Sequence, residues 1–131
     1  FGNSDDRSVF SLAIIKNECE VEGSPVLAFF IADGSGTSLD CANAVVDPNA
    51  IKVGEWLYTT SVWNGQTLSL YVNGAFVASR GVSVDVLTPS IESLYFGKEN
   101  LNFRLDEVRW STVAVSASDV LYRYYNQGGV Q

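Results

Sequence analysis

The sequence predicts an all-β antiparallel sandwich closed by one short C-terminal helix, and three observations carry that expectation. Short apolar-rich stretches recur between turn signals every 8 to 12 residues or so. Two Asn-Gly dipeptides, Asn64-Gly65 and Asn73-Gly74, flank the stretch "QTLSLYV", and Asn-Gly is a strong short-range hairpin signal. One segment near the end, "SASDVLYRYYN", instead has helical spacing.

In chain order, Val9 to Ile15 alternates Phe10, Leu12 and Ile14 with smaller residues and reads as a strand. "VLAFFIA", Val26 to Ala32, follows Gly23-Ser24-Pro25 and is the longest apolar run, of a length that suits a buried strand and falls far short of a membrane span. Asp33 to Gly36 turns the chain, and a strand is expected from Ser38 to Val46, closed by Asp47-Pro48-Asn49.

A meander follows. Two-residue loops at Asn64-Gly65 and Asn73-Gly74 predict strands over Leu57–Trp63, Gln66–Val72 and Ala75–Ser79, with Trp63 opposite Gln66 and Val72 opposite Ala75. One face then carries Leu57, Leu68, Leu70, Val72, Ala75 and Val77 and reads as core. The other carries Tyr58, Thr60, Val62, Thr67, Ser69, Tyr71, Phe76 and Ala78. In this register Tyr58 faces Tyr71, and Tyr71 faces Phe76.

Further strands are expected over Val82–Val86, Ser93–Phe96 and Leu105–Trp110. The helix opens with Ser116 as N-cap and Asp119 three residues on, and places Val120, Leu121, Tyr124 and Tyr125 at helical spacing.

Length and composition bound the function. The 131 residues suit one domain with its own core, and 47% hydrophobic residues make it globular rather than disordered. A net charge of −7 disfavours nucleic acid and anionic membrane surfaces, and leaves a cation or a neutral polymer as partners. The absence of His removes Ser-His-Asp and zinc-hydrolase chemistry. The chain begins with Phe1 and shows no signal-peptide pattern, which reads as a mature or trimmed product. Cys19 and Cys41 flank the "VLAFFIA" strand. A disulfide between them points to a secreted module, and the alternative is two buried thiols of a cytosolic protein.

"VGEWLYTTSVWNGQTLSLYVNGAFVAS", "SLYFGKEN" and "RLDEVRWSTVAVSASDVLYRYYNQ" together resemble the laminin-G-like members of the concanavalin A-like lectin/glucanase superfamily. The resemblance covers Val53 to Gln127 and extends more weakly back to Val9. It implies a β-sandwich of jelly-roll type. Thr59 and Thr60 stand where the family carries a valine-alanine pair, and Phe103 stands where it carries a glycine. The family also opens with two further strands, and this chain is expected to start too late to contain them. Either it is a fragment, or those strands come from elsewhere, with a neighbouring chain a candidate donor to an open edge.

The superfamily hosts lectins, adhesion modules and glycosidases, so fold alone does not assign function. Glu18, Glu20 and Glu22 are only loosely similar to the paired carboxylates of its glucanases. They read as a solvated strand end, and the expectation is a non-enzyme. Calcium is a candidate ligand through Asp33, Asp40 and Asp47, as some laminin-G-like domains bind it at the rim. Asp106 and Glu107 match the family's Asp-Glu pair and read as structural, on opposite faces of a strand.

Tyr58, Tyr71 and Phe76 form the candidate binding site, an aromatic row edged by hydroxyls that suits sugar rings or a covering protein segment. The expected function is therefore a secreted or cell-surface recognition or adhesion module for carbohydrate or a glycoprotein, without membrane insertion. The alternative is a structural subunit of a fibre or assembly, completed by another chain's strand.

Overall fold

A computed structural model describes residues 10–16, 19, 22–31, 41–82 and 102–127. Strands β1 (Phe10–Ile15), β2 (Val26–Ile31) and β3 (Ala44–Asp47) form one antiparallel sheet in the order β1-β2-β3. Strands β4 (Thr59–Trp63), β5 (Thr67–Val72) and β6 (Ala75–Gly81) form a second in the order β4-β5-β6, and helix α1 (Ala117–Asn126) follows.

The inter-sheet core joins Phe10, Leu27, Phe29, Ile31 and Val45 of the first sheet to Leu68 and Leu70 of the second, with Val82 beside them. This is the expected sandwich. All six β2 residues are buried, because its odd-numbered side chains enter this core while Val26, Ala28 and Phe30 enter a second cluster on the outer face with Ile15 and Ala44. A continuous apolar run is what a strand covered on both faces requires. Cys19 packs against that outer cluster and is disulfide-bonded to Cys41 with their Cα atoms 5.1 Å apart, a usual bridging distance.

Several expected elements differ. The segment expected as a strand from Ser38 instead makes a short 3₁₀ turn at Cys41–Asn43 before β3, and residues 38–40 lie outside the described residues. The disulfide holds Cys41, and the Arg80 guanidinium donates to the carbonyls of Cys41 and Ala42 at 2.7 and 3.0 Å.

Leu105–Trp110 is not a strand. Residues 102–110 are all exposed, Glu107 has φ +48°, and its carboxylate accepts from Arg109 at 3.0 Å. Asp106 and Glu107 are thus both on the surface rather than one on each face of a sheet. The expected strand Ser93–Phe96, and Val82–Val86 beyond its first residue, lie outside the described residues.

Candidate functional site

The two hairpin turns decide which side chains share a surface. At the β5–β6 turn, Asn73 (φ +50°) and Gly74 (φ +78°) both have positive φ, the type I′ geometry expected. At the β4–β5 turn only Gly65 (φ +97°) does. The Asn64 side chain accepts from the amides of Gln66 and Thr67 at 3.0 and 2.8 Å, and the Asn64 amide donates to the Thr67 carbonyl. Gly65-Gln66 therefore forms the tip, with glycine first as in a type II′ turn.

Moving the tip by one residue moves every cross-strand pair by two. Trp63 pairs with Leu68 and Tyr71 with Thr60, not with Gln66 and Tyr58 as expected. A shift of two preserves the faces. Tyr58 lies one step further along, where its carbonyl accepts from the Asn73 amide at 2.7 Å and its amide donates to Asn73 Oδ1 at 3.1 Å.

Tyr71 and Phe76 are paired as expected, with their rings edge to face at 5.7 Å. A bulge beside them leaves Val77 unpaired and sets Ala78 opposite Leu70. Ala78 consequently packs on the inter-sheet core, whereas the unbroken register puts it on the aromatic face.

Helix α1 completes the surface. Ser116 caps it reciprocally with Asp119, whose carboxyl is held below the usual range by the Ser116 hydroxyl and backbone amide. Val120 is fully buried, and the Tyr124 ring lies over Gly74, 5.6 Å from the ring of Tyr58 and 5.3 Å from that of Tyr125. Leu121 and Tyr125, at helical spacing with Val120 and Tyr124, are exposed.

The expected row is therefore split in depth. Tyr71 is 9% exposed and Phe76 57%, while Tyr58 is half-buried against the helix. Phe76 on the hairpin and Tyr122 and Tyr125 on the helix are exposed rings. The last two were legible as helix residues, but their exposure depended on which way the helix docks.

Two of the acidic candidates, Glu22 and Asp47, fall among the described residues. Glu22 is exposed, and Glu18 and Glu20 lie outside the described residues, as do Asp33 and Asp40. Asp47 is buried and accepts from the Asn49 amide at 2.8 Å, an Asx turn that ends β3. Among the described residues no group of three or more His, Cys, Asp or Glu side chains is placed to hold a metal. A cleft of about 500 Å³ between β3 and β6, lined by the Cys19–Cys41 bridge, Val46, Ala78 and Arg80, was not anticipated. Arg80 carried no sequence signal, since its partners are backbone carbonyls 38 and 39 residues away.

A laminin-G family model described as the concanavalin A-like lectin/glucanases superfamily matches residues 3–121. The chain belongs to this superfamily. The sandwich agrees with that membership. No curated protein matches the chain. A crystal structure of an S-layer domain-containing protein (residues 221–444) from Clostridium thermocellum ATCC 27405 is similar at 18% identity, with a TM-score of 0.48, covering 79% of this chain. The match spans 54% of that protein's chain. Among the described residues no helix is long and apolar enough to cross a membrane.

Proposed function

We propose that this superfamily domain is a non-catalytic recognition module of the extracellular space, binding carbohydrate either free or on a surface glycoprotein. The observation that carries this reading is the Phe76 ring, more than half exposed and braced edge-on by the buried Tyr71. A flat ring held rigid from beneath suits the apolar face of a sugar, because little conformational entropy is lost when a ligand stacks on it. Tyr125, its ring tilted against that of its helix neighbour Tyr124 at 5.3 Å, offers a second exposed ring. The Cys19–Cys41 bridge supports an oxidising compartment. The net charge of −7 favours a neutral polymer over an anionic one.

The test is titration against soluble neutral polysaccharides, including a β-glucan, with reducing ends assayed in parallel. Phe76→Ala should weaken binding about tenfold, equivalent to about 1.4 kcal/mol, without altering the fold. Turnover of the β-glucan defeats the non-catalytic reading. Binding unchanged in Phe76→Ala removes the aromatic site.

A further inference from the structure

We propose that the edge of β4 left unpaired among the described residues accepts an extended strand from another polypeptide, one that carries hydroxyl or amide side chains at alternate positions. The site lies on the opposite side of the sheet from Tyr58 and does not depend on carbohydrate binding.

Strand β4 is at the end of its sheet, paired with β5 on one side and with nothing among the described residues on the other. The amide of Asn73 bonds the carbonyl of Tyr58, and the amide of Asn64 bonds the carbonyl of Thr67. These two bonds fix the phase of the ladder. Even-numbered peptide groups of β4 turn toward β5, and those of Thr59, Ser61 and Trp63 turn to the open side.

The same three residues point their side chains into the sandwich, since they pair with Val72, Leu70 and Leu68, of which both leucines are fully buried. Thr59 Oγ1, Ser61 Oγ and Trp63 Nε1 are each shielded from solvent and have no hydrogen-bond partner among the described residues. One such atom is unremarkable. Three at consecutive inward positions of one edge strand make a stripe of unmet polar groups that are costly to leave unsatisfied.

A strand laid beside β4 meets both deficits together. Its backbone pairs the outward peptide groups of Thr59, Ser61 and Trp63, and its own inward side chains fall directly opposite theirs. Trp63 Nε1 only donates and needs an oxygen acceptor, whereas the two hydroxyls can donate or accept. Ser, Thr, Asn or Gln meets all three. An apolar strand leaves them orphaned, and a charged one buries an uncompensated ion. A sugar can satisfy hydroxyls but not a regular row of peptide groups.

The test uses amide hydrogen exchange on the full chain, with the synthetic peptide Lys-Val-Thr-Val-Thr-Val-Asn-Val-Lys as probe. In the chain alone, the Thr59, Ser61 and Trp63 amides should exchange at least about tenfold faster than those of Thr60 and Val62. The peptide should slow those three amides by about tenfold, and a version N-methylated at alternate residues should not. Ser61→Pro removes an outward amide, which an edge strand tolerates, together with one of the three inward hydrogen-bonding groups, so it should keep its near-ultraviolet circular dichroism and lose the peptide. Equal protection at all five amides in the chain alone overturns the proposal, as does peptide binding that survives Ser61→Pro. If Ser61→Pro does not fold, equal binding of the N-methylated peptide overturns it instead.

Discussion

The Tyr124 ring rests directly on Gly74: a Cβ added at position 74 would come within 2.8 to 2.9 Å of three Tyr124 side-chain atoms. This contact ties the tip of the β5–β6 hairpin to helix α1. It also gives Gly74 two separate reasons to be glycine, a backbone at φ +78° and a neighbour with no room to spare.

Gly74→Ala should therefore cost more than the same change at Gly65, where φ is +97° but nothing lies within 4 Å of the added carbon. The Gly65 variant loses about 1 kcal/mol from backbone strain. The Gly74 variant adds about 1 to 3 kcal/mol of overpacking. Urea unfolding of the two variants side by side measures the difference, and equal midpoints refute the Tyr124 contact.

Tyr71 and Phe76 touch, yet truncating them should have opposite consequences. Tyr71→Ala opens a cavity in a buried site and should destabilise by about 3 to 5 kcal/mol. Phe76→Ala leaves little void and should stay within about 1 kcal/mol of the parent protein. Thermal unfolding separates the two, and a mild effect of Tyr71→Ala would mean the ring is not packed as described.

The capping box gives α1 a pH dependence. Two hydrogen bonds from Ser116 hold the Asp119 carboxyl below its usual value of about 3.9. Because the folded value is the lower one, this contribution is complete above that pH and is lost as pH falls through the depressed value. Ser116→Ala should raise the Asp119 titration midpoint toward the ordinary value and cost about 1 kcal/mol of stability. Carbon-detected NMR titration of the carboxyl reads the first effect directly.

These sites show where sequence patterns carried the fold and where they did not. The capping box and the Asn73-Gly74 turn are specified by a few adjacent residues, and both were legible. At Asn64-Gly65 the same dipeptide made a different turn, because the Asn64 side chain captured two amides and displaced the tip by one residue. Face assignments survived that shift because strand periodicity is two. They failed at Ala78, since no residue type announced the bulge between Leu70 and Tyr71.

Leu105–Trp110 failed for a non-local reason. Its alternation suits a strand, but a strand requires a hydrogen-bonded neighbour, and a single stretch of sequence cannot say whether one is beside it. The partial burial of Tyr58 was equally hidden, because its ring meets Tyr124 on a helix far along the chain.

The Cys19–Cys41 bridge has a mechanical consequence. The two cysteines bracket β2, the strand buried on both faces. A pull applied to the two ends of the chain therefore passes from Cys19 to Cys41 through the covalent bond and never loads the backbone between them. With 22 residues of separation, about 75 Å of contour length is withheld from extension until the bond is reduced. In a domain exposed to tension, the central strand of one sheet would remain unstretched while the flanking elements peel away.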